Sequence, residues 1–152
     1  MDCRLRPASE SDKGFLYSLH CVTMREAIEK TWGWDEVWQR TDFEERFKHC
    51  SVSIIQADGR DVGGLWLESQ ADLLYIVEFQ ILPEWQGRGI GTSVLHDLIG
   101  QATRRGIALE LSVLPVNPRA QQLYERVGFK VTDEGDPFIR MRHDGAIGPA
   151  SA

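Results

Sequence analysis

Ile81-Leu82-Pro83-Glu84-Trp85-Gln86-Gly87-Arg88-Gly89-Ile90-Gly91-Thr92 is the stretch whose reading decides the fold. It joins an apolar run, Leu73 to Leu82, to a helical pattern carried by Ile90, Val94, Leu95, Leu98, Ile99 and Ala102, which ends near Gly106. Pro83 closes the strand. The glycines remove side chains where the helix begins, so backbone N–H groups can approach a ligand closely. A helix N-terminus carries unpaired donors and a partial positive charge. Together these features bind phosphate oxygens, and Arg88 adds a charge contact. A Walker loop requires Lys-Ser or Lys-Thr after its last glycine, whereas Gly91 is followed by Thr92 alone. A dinucleotide fingerprint requires GxGxxG, and the spacing here is GxGxG. The competing reading is a turn that only caps a helix.

Upstream, Ser51 to Ala57 and Val62 to Glu68 read as strands joined through Asp58-Gly59, a hairpin signal. Cys3 to Arg6 alternates as a first strand ended by Pro7. Ser9 or Ser11 can cap the next helix, marked by Phe15, Leu16, Leu19 and Val22 and continuing towards Ile28. Gly33 breaks it. A second helix runs from Asp35 to about Phe47, with Val37, Trp38, Phe43 and Phe47 as its apolar marks. The apolar run Leu73 to Leu82 suggests a strand buried on both faces. Downstream, Ile107 to Leu114 is a strand stopped by Pro115 and Pro118. Ala120, Leu123, Tyr124 and Val127 mark a short helix capped by Gly128. Phe129 to Val131 and Phe138 to Met141 are two final strands. The order is strand, two helices, three strands, helix, strand, helix, two strands: mixed α/β with a largely antiparallel first half. Residues 1–144 form one expected domain, and Gly145 to Ala152, small and breaker-rich, an expected flexible tail.

Gln86-x-x-Gly89-x-Gly91 resembles the Q/R-x-x-G-x-G/A signature of the general-control-type N-acetyltransferase (GNAT) superfamily. A second segment stands at the family's distance downstream: Asn117-Pro118-Arg119-Ala120 through Leu123-Tyr124-Glu125-Arg126-Val127-Gly128-Phe129 is similar to its N-x-x-A…LY…GF pattern. Two ordered motifs on the right elements are far more specific than either alone. The resemblance is strong over about residues 51 to 142 and looser before them. Thr31-Trp32-Gly33-Trp34-Asp35-Glu36-x-Trp38-Gln39 also resembles an uncharacterised bacterial subgroup. The resemblance implies a mostly antiparallel sheet of six to seven strands with four helices and a splayed central parallel strand pair. It also implies acetyl transfer from a CoA thioester to a primary amine, with acetyl-CoA as co-substrate and no metal. The expected acceptor is a small-molecule amine. A peptide or protein N-acetyltransferase is the alternative within the same chemistry, and a non-catalytic acyl-CoA sensor the alternative outside it.

Acetyl transfer needs a group that takes a proton from the amine and one that gives a proton to the leaving thiolate. It also needs an N–H aimed at the thioester oxygen. Glu78 is the expected base: it stands in the otherwise apolar Ile76-Val77-Glu78-Phe79-Gln80-Ile81, and a buried carboxylate requires a reason. Burial would raise its pKa towards a useful range. By parity Glu78 and Gln80 share one face, and Tyr75, Val77, Phe79 and Ile81 the other. Gln80 can orient substrate or water. Tyr124 matches the family's LY tyrosine and is the expected acid near the CoA sulfur; packing as a core aromatic is its competing role. The resemblance puts the oxyanion donor at Ile81 or Leu82. It assigns the cofactor grip to Gln86, Gly87, Arg88, Gly89, Ile90, Gly91 and Thr92, with Asn117 on the pantetheine arm and Ala120 and Tyr124 in the same site. Asn117 can also cap its helix.

Trp32, Trp34 and Asp35 form an aromatic-acidic cluster able to hold a cationic amine. Core packing of the tryptophans, Trp38 included, and capping by Asp35 compete with that role. His20, His49, His96 and His143 are scattered, with no metal-ligand spacing, and read as structural or solvated. Cys3, Cys21 and Cys50 are odd in number and unpaired in pattern; Cys21 reads as a small buried hydrophobe. The net charge of −6 argues against nucleic-acid binding and mildly favours cationic substrates. MDCRLRPASESDKG has no apolar h-region, and no apolar stretch approaches the roughly 20 residues that span a bilayer. A cytoplasmic protein without membrane partners is expected, with a homodimer allowed for.

Overall fold

A computed structural model describes residues 1–145. Seven strands form one sheet in the order β1-β2-β3-β4-β5-β7-β6. The chain divides into two compact units, Met1–Glu68 with Val77–Ile90, and Ser69–Ile76 with the residues from Gly91 onward. β4 (Leu73–Ile81) contributes to both.

In the first unit, β1 (Cys3–Pro7) pairs antiparallel with β2 (Ser51–Ala57), from Cys3↔Ala57 to Pro7↔Ser53. β2 turns into β3 (Arg60–Gln70) through Asp58 and Gly59, whose φ of 52° and 80° supply the left-handed pair that a two-residue hairpin loop needs. A 3-10 turn at Glu10–Asp12 leads into α1 (Lys13–Thr31); Ser9 N–H donates to Asp12 Oδ2 at 2.8 Å. Gly33, at φ +87°, ends α1 and donates to the Ile28 and Glu29 carbonyls. α2 (Glu36–His49) begins at Asp35, which accepts from Trp38 N–H at 3.0 Å. Leu16, Leu19, Phe43, Ile54 and Trp66 form the core of this unit. Gly63 on β3 is obligatory there, because a Cβ would collide with the Gln80 carbonyl oxygen of β4.

In the second unit the start of β4 pairs in parallel with β5 (Ala108–Val113), from Leu73↔Ala108 to Ile76↔Leu111. β7 (Ile139–His143) pairs antiparallel with both β5 and β6 (Lys130–Glu134). α3 (Ile90–Arg105) buries Val94, Leu95, Leu98 and Ala102, and α4 (Pro118–Arg126) buries Tyr124.

The order of elements matches the expected one, and the sheet is mixed, mostly antiparallel, with one parallel pair. Three burial expectations are corrected. Val22 is 59% exposed, because it points away from the arc of the helix that Leu16, Leu19 and Ile28 bury. Val37 and Trp38 are 75% and 58% exposed; the first turn of α2 starts outside the core that Phe43 enters. β4 is buried at Leu74, Ile76 and Gln80 and half-buried at the odd-numbered positions, so it is not closed on both faces. Cys3, Cys21 and Cys50 are free and half-buried, so Cys21 is not the fully buried hydrophobe expected. Gly145 is buried and donates to His143 Nδ1 at 3.0 Å; the rest of the expected tail lies outside the described residues. Among the described residues no helix is long and apolar enough to cross a membrane.

Candidate active site

β4 presents Glu78 and Gln80 on one face, as their parity requires. α2 carries Gln39, Asp42, Phe43 and Arg46 at helical spacing, so one stripe of the helix faces them. α1 adds His20 and β3 adds Trp66. These eight side chains line one cavity, open at its mouth, within the first unit.

The polar groups form a continuous network. Arg46 Nη1 pairs with Glu78 Oε2, and Arg46 Nε lies 2.9 Å from Asp42 Oδ2. Burial works against the Arg46 charge, but Glu78 and Asp42 overcome it and hold the guanidinium above its ordinary pKa. Gln80 Nε2 donates to Glu78 Oε1 at 3.0 Å and lies 3.3 Å from His20 Nδ1. His20 Nε2 is 2.8 Å from Gln39 Oε1. Gln80 itself is buried, and its Oε1 has no hydrogen-bond partner among the described residues.

The reason for a carboxylate inside β4 is therefore Arg46, a partner that strand parity does not reveal. His20, read from the sequence as structural or solvated, is hydrogen-bonded to Gln39 and Gln80 and lines the cavity. Asp42 and Gln39 were missed with it. Their signal was a polar stripe, Gln39-x-x-Asp42-x-x-x-Arg46, which any solvated helix face also shows.

The glycine-rich loop stands at the exit of β4. Pro83–Trp85 makes one 3-10 turn. Gln86 Nε2 donates to the Ile81 carbonyl at 2.8 Å and so clamps the loop to the strand end. Gly87 and Gly89 take φ of 74° and 85°, which side-chain-bearing residues rarely adopt. The Arg88 guanidinium lies 4.7 Å from the Trp85 ring centroid. Ile90, Gly91 and Thr92 form the first turn of α3. Leu82 is corrected as an oxyanion donor, because its N–H is donated to Val62 O at 2.8 Å. The Gln80 carbonyl faces Gly63 on that same side. Alternation along the strand puts the Ile81 amide on the opposite edge, so Ile81 is the donor that stays in question.

In the second unit, Asn117 Oδ1 accepts from Ala120 N–H at 3.3 Å, with Pro118 in the first turn of α4. Tyr124 lies further along that helix, its ring edge-on to Phe129 at 5.7 Å. The tryptophans do not form a cage on this cavity. Trp32 is 58% exposed and lies outside its lining. Trp34 packs 5.7 Å from the His20 ring, carries Arg25 at 4.9 Å over its own ring, and donates to Glu36 Oε1. An internal cation therefore already sits over the Trp34 ring.

Comparison with known proteins places this geometry. The acetyltransferase (GNAT) family model matches residues 15–129. The thialysine N-epsilon-acetyltransferase of Mus musculus is 26% identical over 160 residues, covering 93% of this chain and 92% of that protein. Its Bos taurus counterpart is 30% identical over 114 residues, 67% of each. The crystal structure of a PaiA N-acetyltransferase from Thermoplasma acidophilum in complex with coenzyme A superposes with a TM-score of 0.76 at 18% identity, over 95% of this chain and 99% of that one. At that identity the shared ground is the fold. A family match over most of the chain goes further, and the chain belongs to the acetyltransferase (GNAT) family.

Proposed function

We propose that the chain is an acetyl-CoA-dependent N-acetyltransferase whose acceptor is the primary amine of a small cationic molecule. The observation that carries this reading is the pairing, on one face of β4, of the Glu78 carboxylate with a Gln80 oxygen that has no donor among the described residues. Two carboxylates, Asp42 and Glu78, face one guanidinium in that cavity, so negative charge is in excess. Such a site suits an ammonium group. The mammalian relatives are named for acetylating an amine of thialysine, a small amino compound.

The residues fit the cofactor. A Cβ built at Gly89 meets nothing within 4 Å, so that side of the loop is open for a ligand to approach the backbone. The loop's amides and the α3 N-terminus would hold the pyrophosphate, with Arg88 alongside. Asn117 and Ala120 would hold the pantetheine arm. Bound acetyl-CoA supplies the activated acetyl group. Glu78 takes the proton that the amine sheds, and Arg46 holds the carboxylate in place. The Ile81 N–H meets the charge that grows on the carbonyl oxygen. Tyr124 returns a proton to the departing sulfur.

The test is to incubate the chain with acetyl-CoA and a panel of thialysine, 2,4-diaminobutyrate, 1,4-diaminobutane, butylamine and lysine-containing peptides, measuring free thiol over time. Amine-dependent release with the small amines is expected. Release with peptides alone would move the acceptor to proteins. CoA binding without release on any amine would make the chain a sensor.

A further inference from the structure

The two ends of the Gln80 carboxamide are met very differently. The side chain is deeply buried, and its nitrogen is fully engaged: one hydrogen goes to Glu78 Oε1 at 3.0 Å and the other points to His20 Nδ1 at 3.3 Å. The oxygen is buried without a donor. Chemistry fixes which end is which. An ionised carboxylate only accepts, so the amide nitrogen must face Glu78, and a flipped amide would bring two acceptors together. His20 agrees with this orientation. With the ring proton on Nε2, directed at Gln39 Oε1 2.8 Å away, Nδ1 is left to accept from Gln80. The chain Gln39–His20–Gln80–Glu78 thus has one internally consistent polarity. Among the described residues it leaves Gln80 Oε1 as a buried side-chain acceptor without a donor, on the same strand face as the carboxylate.

We propose that Gln80 Oε1 is the specificity-determining acceptor for the substrate amine, with His20 and Gln39 as positioning residues that hold it bare and aimed. The proposal rests on the acetyl-transfer reading above and deepens it by naming the atom that selects primary over secondary amines. A neutral primary amine has two N–H groups and one lone pair. One N–H points to Glu78 and the other to Gln80 Oε1, which leaves the lone pair for the acetyl carbon. As the C–N bond forms, the C–S bond breaks and its electron pair leaves with sulfur. One proton passes to Glu78, and the remaining hydrogen stays on the product amide nitrogen, still bonded to Gln80. A secondary amine has one N–H and satisfies only one of the two acceptors. A site that must hydrogen-bond its substrate rejects an analogue lacking that hydrogen, because the buried acceptor is then left unpaired.

The experiment takes whichever primary amine of the panel turns over fastest, together with its N-methyl derivative, and measures kcat and KM for both. The ratio of the two kcat/KM values is the readout. Gln80→Leu is expected to shrink the primary-over-secondary ratio by about tenfold, roughly one hydrogen bond to a charged or reacting group. The acetyl-CoA dissociation constant should stay unchanged. His20→Leu should shrink the ratio less and raise KM for the primary amine. His20→Asn, which returns an acceptor for Gln80 Nε2, should restore most of it. A role confined to packing would slow both amines alike and leave the ratio where it was. If Gln80→Leu does not fold, the two His20 variants carry the comparison. A ratio unchanged within twofold in the folded variants overturns the proposal, and is also the result expected if a water occupies the oxygen instead. No turnover of any amine by the parent chain overturns the acetyl-transfer reading itself, and this proposal with it.

Discussion

At the scale of the residue, Glu78 and Arg46 carry the sharpest consequence. An unpaired carboxylate on β4 would be strongly disfavoured, and the ion pair with Arg46 offsets that. Glu78→Gln is expected to lower kcat by about 10²–10⁴-fold with acetyl-CoA affinity unchanged, as for loss of a general base. Arg46→Met should act differently. It leaves the half-buried carboxylate without its cation, so both the melting temperature and kcat should fall below the parent's. A melting temperature and a rate equal to the parent's would mean that the Arg46–Glu78 pair contributes nothing. Parity alone was enough to pair Glu78 with Gln80 in the sequence. Arg46 could not be found that way, because nothing local ties position 46 to position 78.

At the scale of the element, the loop from Gln86 to Gly91 is defined by its glycines and by the helix that they open. Gly89 has open space where a side chain would go but a φ of 85°, so the conformation and not crowding excludes other residues. Gly89→Val is expected to cost about 1–2 kcal/mol of folding stability from the left-handed backbone. It should also weaken acetyl-CoA binding, because the added side chain stands where the ligand approaches. Titration calorimetry with acetyl-CoA checks this, and an unchanged dissociation constant would remove the pyrophosphate from this loop. The α2 helix teaches the opposite lesson. Its apolar marks at Val37 and Trp38 suggested burial, yet they are exposed and the polar stripe faces inward around Phe43. Composition could not distinguish a solvated stripe from one lining a cavity.

At the scale of the whole molecule, a charged cluster ties β1 to the start of α1 and to β3. Arg6 donates to Asp12 at 2.9 and 3.0 Å and to Asp61 at 3.0 Å. The Arg6 hydrogen bond, helped by the Ser9 N–H, holds the Asp12 carboxyl down at about 2, against an ordinary value of 3.8. A carboxylate depressed in the folded state stabilises it at pH values above the unfolded pKa. That contribution is lost as pH falls through the folded one. Arg6→Met should therefore melt below the parent near neutral pH. The gap between the two should narrow between about 4 and about 2 and close below that. A gap independent of pH would assign the effect of Arg6 to packing.

The sequence alone determined the order of helices and strands, the hairpin at Asp58-Gly59, the glycine-rich passage from β4 into α3, and the shared face of Glu78 and Gln80. Each of these is local. Left-handed φ, proline stops, strand parity and helical spacing are set by neighbours within a few residues. Only the tertiary structure decided that His20, Gln39 and Arg46 meet Glu78 and Gln80, that the Leu82 amide is committed to Val62, and that Trp34 already carries Arg25. Those pairings join residues that are distant in the chain. Their partners are chosen by how two helices pack on one strand, and one polar side chain looks much like another until that packing is known.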